Sequence, residues 1–455
     1  MRRIMRHIRR HVMRLKLVIG CVFFFVMSLV FLLALIHAVT SKHQSVGDPF
    51  VDPRSPCSQN GMFEDDVCRC DNCYVGATCE TKSETCVVDA SSGSPFFTDD
   101  YWISEVRNGN KDSTITIAPY YHIGYGAFVG AGNCGGFAPV SGGCRNDLET
   151  EIRALHDAVG NFKHNGYTLV MGVGSTELIA ASVYSLLDSS QNATVFSEEP
   201  YYNGHSGVAE FFGRNWAQSA EEAEANARTY GRNSTLEFVT SPSNPTGAMR
   251  TKQVASGTAV FDSAYFWPHF TPITADRKLS DHDVALFTLS KITGHASSRI
   301  GWAFVKDADM AARLSGYVGA SGGLVRESQL RATTILASER RRGYPVLTFA
   351  SERMASRWSA LESVLGSSAC YSLQPRGGRA TDMWSGKTYA PSPAYAWIRC
   401  VSGDDCYQTM LSAGVRGRAG PKFGANKDHV RLELLLGEPD FKSMLGLLRK
   451  LQSKC

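Results

Sequence analysis

Between Tyr167 and Val305 short apolar, strand-like runs alternate with helix-like stretches, the pattern of βαβ units that builds a largely parallel sheet covered by helices. Such a sheet binds ligands at the carboxyl ends of its strands, so the polar residues that follow each run matter most. Val284 to Leu289 is followed by Ser290-Lys291-Ile292-Thr293-Gly294, with Arg299 eight residues beyond the lysine. Leu236 to Thr240 is followed by Ser241-Pro242-Ser243-Asn244-Pro245-Thr246-Gly247. Ala259-Val260-Phe261 ends in Asp262, with Tyr265 three residues on, and Tyr167 to Gly174 ends in a glycine turn before Ser175-Thr176-Glu177-Leu178-Ile179.

Each of these has a plain structural reading: a surface lysine in a loop, a turn-capping aspartate, a glycine turn of the kind many α/β proteins carry. Their ordered combination points to one cofactor, pyridoxal phosphate. A partly desolvated Lys291 amine forms a Schiff base with its aldehyde. Arg299 and the Ser290 hydroxyl take the phosphate, helped by the free N–H groups at the helix start, Gly174, Ser175 and Thr176. Asp262 faces the pyridine nitrogen and keeps it protonated, while Asn244 and Tyr265 reach the phenolic oxygen.

These residues resemble the alliinases and tryptophan aminotransferase-related proteins, fold type I enzymes of the aspartate-aminotransferase superfamily. The likeness runs from about Cys57 to the C-terminus and is most specific at Phe261 to His269, the Lys291 segment, Pro391 to Trp397, and His429-Val430-Arg431-Leu432. It implies an α/β fold with a large mixed-sheet cofactor domain and a small α+β domain. It further implies that Arg431 binds a substrate α-carboxylate, that Tyr202 lies at the cofactor ring, and that Tyr125 reaches the phosphate of the other subunit of a homodimer. Without the resemblance, Arg431 reads as an exposed charge on an edge strand and Tyr202 as a packed aromatic. Relatives carry Gly-Asp-Gly or Gly-Asp-Pro where this chain has Gly93-Ser94-Pro95, and Trp-His-Arg where it has Tyr120-Tyr121-His122; both segments contribute to the substrate mouth.

Cys57, Cys68, Cys70, Cys73, Cys79 and Cys86 fall in a segment with no apolar period of its own, which needs covalent staples. Six cysteines allow fifteen pairings and the sequence does not choose. Their spacing is similar to the EGF-like module of alliinases; Cys70-x-x-Cys73 also has zinc-ligand spacing, but the compartment argues against a metal. Cys400 and Cys406 flank an acidic turn that invites another disulfide, and Cys134 and Cys144 are a further candidate pair. Ahead of the cluster, seven Arg or Lys residues between Arg2 and Lys16 lead into an uncharged run from Leu17 to Val39, long enough to span a bilayer. A cleavable signal has a shorter apolar core and a small-residue exit, so an uncleaved anchor is expected. The positive-inside bias makes it a single-pass type II protein. Its body then lies in the endoplasmic reticulum lumen or another secretory, vacuolar or extracellular space, where Asn192 and Asn233 are glycosylation sequons. The net charge of +4 mostly reflects the basic leader and excludes nothing but an argument for nucleic-acid binding.

The expected organisation is a basic cytosolic tail (1–16), an anchor (17–39), a linker (40–56), an EGF-like module (57–90), a large cofactor domain (91–345) and a small domain (346–455), with a helix from Leu324 to Arg342 bridging the last two. The expected reaction acts on an amino acid and a keto acid. The amino acid displaces Lys291, and the freed amine takes the Cα proton with the ring over Asp262 as electron sink. An aminotransferase then releases a keto acid; a carbon–sulfur lyase expels a sulfoxide from Cβ. Transfer from an aromatic amino acid such as L-tryptophan, giving indole-3-pyruvate, is favoured because that activity occurs across the related proteins. A non-catalytic membrane-anchored binding protein is the third reading, disfavoured by the joint presence of Lys291, Asp262, Asn244 and Arg299.

Overall fold

A computed structural model describes residues 52–64, 66–83, 85–117, 146–276 and 282–455. The basic leader, the apolar run 17–39, Tyr125, the Tyr120-Tyr121-His122 stretch and the Cys134/Cys144 pair lie outside the described residues. Among the described residues no helix is long and apolar enough to cross a membrane.

The larger sheet has seven strands, numbered here in chain order: β1 Thr168–Val173, β2 Thr194–Phe196, β3 Asn215–Trp216, β4 Thr235–Thr240, β5 Thr258–Asp262, β6 Val284–Thr288 and β7 Ile300–Val305. They lie in the order β1-β7-β6-β5-β4-β2-β3, parallel except for β7, which runs antiparallel to both of its neighbours. Every residue of β4 through β7 is buried, as continuous apolar runs require in a sheet covered on both faces. Alternation assigns the faces. Ala285, Phe287, Trp302 and Phe304 share a core with Leu148, Ile152 and Leu155 of the helix Asn146–Val159. Val284, Leu286, Ala303 and Val305 join Leu178, Val183, Leu314 and Val318 from the helices Gly174–Leu186 and Ala308–Ala320. The six parallel strands leave Val173, Thr240, Asp262 and Thr288 at one edge.

The second sheet is antiparallel, with β8 Tyr371–Leu373, β9 Tyr395–Cys400, β10 Arg418–Ala419 and β11 His429–Glu433 in the order β8-β9-β11-β10. β11 is therefore internal, and Arg431 is 1 % exposed rather than an edge-strand charge. The helix expected over Leu324 to Arg342 runs Arg326–Arg341, ends at a turn whose Tyr344 is left-handed (φ 58°), and is followed by Pro345–Leu365. Residues 88–98, which straddle the expected boundary between module and large domain, lie against the C-terminal strands. Val88–Asp89 pairs in parallel with Val415–Arg416, and Phe97 N–H donates to the Leu435 carbonyl.

The cysteine cluster is closed by Cys57–Cys68, Cys70–Cys79 and Cys73–Cys86. Cys70 and Cys73 are thus spent on separate disulfides, which removes them as a thiolate pair for zinc. Cys400–Cys406 is bonded as its acidic turn suggests, and Cys370–Cys455, which no sequence feature announced, pins the C-terminus.

One buried cation holds the C-terminal segment in place. Arg357 Nη1 donates to the Leu434 and Leu436 carbonyls (2.7 and 2.6 Å), Nη2 to Glu438 (3.0 Å), and the guanidinium lies over the Phe97 and Phe441 rings. Burial pulls its pKa down to about 10 against the opposing effect of Glu438. Replacing Arg357 with Met strands two buried carbonyls and removes one of the cationic partners of Glu438, which keeps Arg353 at 2.9 Å. It should lower stability in urea by about 3 kcal/mol, whereas Arg228→Met on the exposed helix face should change it by less than about 0.5 kcal/mol.

Candidate active site

At the edge where the parallel strands end, a cavity of about 380 Å³ opens between the two sheets. Lys291 ends a short 3₁₀ turn directly after β6, held by Thr288, whose hydroxyl accepts from Ser290 N–H and donates to Ser290 Oγ at 3.0 Å. His269 Nε2 lies 2.9 Å from the Lys291 carbonyl, which fixes the turn from the other side. The lysine Nζ donates to the Gly93 carbonyl. Burial lowers its pKa from the ordinary 10.5 to about 8, with Arg431 and Arg299 acting in the same direction and Glu433 and Asp262 against it. A lysine so placed is uncharged often enough near neutral pH to act as nucleophile and base.

Asp262 closes β5 and is buried. One carboxylate oxygen accepts from Ala264 N–H at 3.2 Å, the turn-capping role expected of such a residue, while the other stands 3.4 Å from His205 Nε2. His205 is wholly buried, is stacked on Phe238 at 4.3 Å, and has no hydrogen bond at either ring nitrogen among the described residues. It lies one helical turn after Tyr202, which lines the cavity. The Tyr265 and Tyr395 hydroxyls meet at 2.6 Å, and burial raises the pKa of both, so both phenols are neutral. Asn244 Oδ1 accepts from Arg431 Nη1 at 3.1 Å, and Arg431 Nη2 donates to Ser91 O at 2.7 Å. The Arg431 guanidinium lies 4.0 Å from the Tyr395 ring centroid.

The opposite end of the cavity is built by backbone close approach. Arg299 is left-handed (φ 52°), and its Nη2 reaches the Val173 carbonyl at 3.4 Å. Gly174 has φ +69°, and a Cβ there would stand 2.4 Å from Arg299 Nη2; one on Gly301 would stand 2.4 Å from Ser175 N. The glycines thus let an arginine and the first turn of the helix Gly174–Leu186 converge, with Ser175, Thr176 and Ser290 lining the same cavity.

The cavity brings together Ser175, Thr176, Tyr202, Asn244, Asp262, Tyr265, Ser290, Lys291, Arg299 and Arg431, with Gly174 behind Arg299; Tyr125 lies outside the described residues. It also contains residues that sequence reasoning missed. Ser92 joins Gly93 and Ser94, which the resemblance had put at the substrate mouth, on the wall; Tyr395 partners Tyr265, and Arg418 enters from β10. His205 and Glu433 sit behind them. Spacing from Tyr202 and from Arg431 was the available signal for these last two, because each falls one turn or two strand positions from a residue already singled out. Nothing local marks Arg418.

The donor set fits pyridoxal phosphate. A helix N-terminus with two hydroxyls, a third hydroxyl and a guanidinium suit a phosphate dianion. A buried carboxylate suits a pyridinium, and an amine of lowered pKa suits an aldehyde. Gly174→Ala should therefore displace Arg299 and weaken cofactor retention on dialysis at least tenfold, while Gly207→Ala, where a Cβ meets nothing within 4 Å, should leave it unchanged. Cofactor capture by stripped protein should accelerate as pH rises through about 8, because the amine must lose its proton first; a rise delayed to the ordinary lysine range near 10.5 would contradict the burial argument.

Comparison with known proteins places this geometry. The Allinase family model matches residues 88–452. Tryptophan aminotransferase-related protein 3 of Arabidopsis thaliana is 32% identical over 85% of this chain and 83% of its own length. An alliin lyase of Allium cepa var. aggregatum is 31% identical over 84% and 85%. Among solved structures, an aspartate aminotransferase from Thermus thermophilus superposes with a TM-score of 0.55 at 17% identity over 80% of this chain and 91% of its own. Pyrococcus horikoshii kynurenine aminotransferase does so at 0.55 and 14% over 81% and 90%. The chain belongs to the allinase family of fold type I enzymes, whose cofactor is pyridoxal 5′-phosphate.

Proposed function

We propose that the protein is an aminotransferase acting on an aromatic L-amino acid, L-tryptophan foremost, with indole-3-pyruvate as product. The observation that supports an enzyme acting on amino acids is the placement of a buried base of lowered pKa, Lys291, in the same cavity as a buried guanidinium, Arg431, free of any ion pair among the described residues. Pyridoxal phosphate supplies, when bound, an aldehyde that captures an amine and a cationic ring that stabilises negative charge at Cα. Everything else falls to the chain. Arg431 takes the α-carboxylate and Asn244 orients Arg431. Asp262, backed by His205, would hold a proton on the nitrogen of a bound pyridine ring, and Tyr202 lines the same cavity. The Tyr265–Tyr395 pair presents neutral hydroxyls that donate without competing for the Cα proton. Lys291 removes that proton and returns it, and transamination asks for no second base.

A carbon–sulfur lyase would use the same residues and then expel the Cβ substituent, and the alliin lyases among the relatives support that alternative. The similarity to the tryptophan aminotransferase-related proteins is of equal weight, so the choice rests on the paired assay. Purified protein given L-tryptophan and a keto acid should yield indole-3-pyruvate, and should release neither pyruvate nor ammonia from S-alkyl-cysteine sulfoxides. The reverse pattern would make it the lyase. In either case Lys291→Ala should abolish turnover without unfolding the protein, and Asp262→Ala should slow Cα deprotonation by several orders of magnitude while some cofactor stays bound.

We further propose that the working form is a homodimer, held to a membrane by the apolar run 17–39 with the catalytic body on the secretory side. The disulfides support that compartment. Asn233 is exposed whereas Asn192 is half-buried, so Asn233 should carry the glycan. Membrane-derived protein should lose apparent mass on deglycosylation, and Asn233→Gln should abolish that loss; cytosolic, unglycosylated protein would overturn the topology.

A further inference from the structure

Residues 264–273 run without helix or strand, yet every one of them is buried. A buried irregular segment has to find partners for its backbone groups outside itself. This one also carries two groups of the active site: Tyr265, on the cavity wall, and His269, on the Lys291 carbonyl. Asn161 Nδ2 donates to the Phe266 carbonyl at 2.8 Å. Four further backbone bonds come from one place, the hairpin of Ala380–Thr381 and Thr388–Tyr389 and the chain that leaves it. Tyr389 OH donates to the Pro268 carbonyl at 2.8 Å, Ser392 N–H to the Phe270 carbonyl at 2.9 Å and Met383 N–H to the Ile273 carbonyl at 2.8 Å. Ile273 N–H donates in turn to Asp382 Oδ1 at 2.9 Å.

Asp382 is the centre of this contact. It is wholly buried, and its second oxygen accepts from Ser385 N–H and Ser385 Oγ at 2.9 and 2.7 Å. Among the described residues it forms no ion pair, although a buried carboxylate without a counter-ion is costly. A neutral polar residue closes a hairpin as well. What the carboxylate adds is a short bridge, with one oxygen on the hairpin turn and the other on Ile273. Side chains of the segment do not replace that bridge: Trp267 Nε1, His269 Nδ1 and Thr271 Oγ1 are buried without a hydrogen-bond partner among the described residues. The chain leaving the hairpin is fixed by Trp358 Nε1 on the Pro393 carbonyl at 2.8 Å, and two residues later it supplies Tyr395. The hairpin therefore stands between the carriers of the two phenols whose hydroxyls meet in the cavity.

We propose that Asp382 is a positioning residue for the active site, acting through residues 264–273 to hold His269 against the Lys291 turn and the Tyr265 hydroxyl against Tyr395. Asp382 does not itself line the cavity. Its loss would free Ile273 and withdraw His269 and Tyr265 together; the Tyr265 ring centroid lies 5.9 Å from Lys291 Nζ. Water would then reach the lysine from the side that the segment seals, and the amine would lose the burial that disfavours its charged form. The inference rests on Lys291 as the base, which the aminotransferase and lyase readings share.

The test follows competitive acetylation of Lys291 against pH in the full-length protein freed of cofactor, read by peptide mass mapping, so it needs no turnover. Wild type should give a midpoint of about 8. Asp382→Ala should raise the midpoint above about 9, and Asp382→Asn, which keeps an acceptor for Ile273 N–H and loses one for Ser385, should fall between the two. Asp307→Ala removes a cap from the helix Ala308–Ala320 and measures what a loss of stability does by itself; its midpoint should match wild type. A midpoint of about 8 in folded Asp382→Ala would overturn the proposal, as would a wild-type midpoint near the ordinary 10.5. If the Ala variant does not fold, Asp382→Asn and Tyr389→Phe decide: an upward move in either supports the proposal, and two unmoved midpoints overturn it. A midpoint that moves in a protein that turns over no amino acid would uphold the positioning role and overturn the enzymatic reading.

Discussion

A lysine amine has to give up its proton more readily than an ordinary lysine, inside a cavity that is itself dense in positive charge, and the architecture around it follows from that requirement. Burial alone disfavours the ammonium form, and the nearby guanidiniums push the same way. The burial depends on β6 and β7, which have no exposed residue and deliver Lys291 and Arg299 to the same edge from opposite strand directions. Because β7 runs antiparallel to β6, eight residues of turn suffice to put the base and the phosphate-end arginine on either side of one cavity. The glycines at 174 and 301 then let β1 and its helix close against that turn.

The other half of the cavity is supplied by chain segments remote in sequence. The strand that leaves the disulfide-rich module pairs with Val415–Arg416, and the residues after it, Ser91 to Gly93, accept hydrogen bonds from Arg431 and Lys291 through their carbonyls. The N-terminal module is therefore attached to the wall of the active site. Asn72 of the module also bonds Asp440 of the C-terminal helix at 2.9 Å. Arg357 and the Cys370–Cys455 disulfide fix that C-terminal region from its far side. Perturbing the module should thus reach the substrate end of the cavity before the phosphate end.

What the sequence revealed and what it hid divide along physical lines. Residues at the ends of long apolar runs were legible because a buried strand constrains both its own composition and where its end must lie; Asp262, Lys291 and the Gly174 turn are of this kind. Arg431 needed family resemblance, since V-R-L-E-L alternates like an edge strand and only the tertiary position of β11 buries it. Arg418 and Ser92 were invisible: one follows a two-residue strand in a glycine-rich loop, the other an irregular stretch, and neither has a period to read. The pairing within the six-cysteine cluster was hidden for a similar reason, because it depends on distances between short strands such as Gly61–Glu64 and Val67–Cys70 that carry no register signal of their own, whereas Cys400–Cys406 was marked by its short turn. Cys370–Cys455 joins residues 85 apart in sequence, beyond any local inference.

The central claim is that Lys291 is the residue that joins the cofactor. Borohydride reduction of cofactor-loaded protein fixes that bond permanently, and peptide mass mapping then locates the pyridoxyl group. The account requires a single modified site, at Lys291, with stoichiometry near one per chain. A pyridoxyl group on any other lysine, or cofactor that leaves the reduced protein on denaturation, would contradict it.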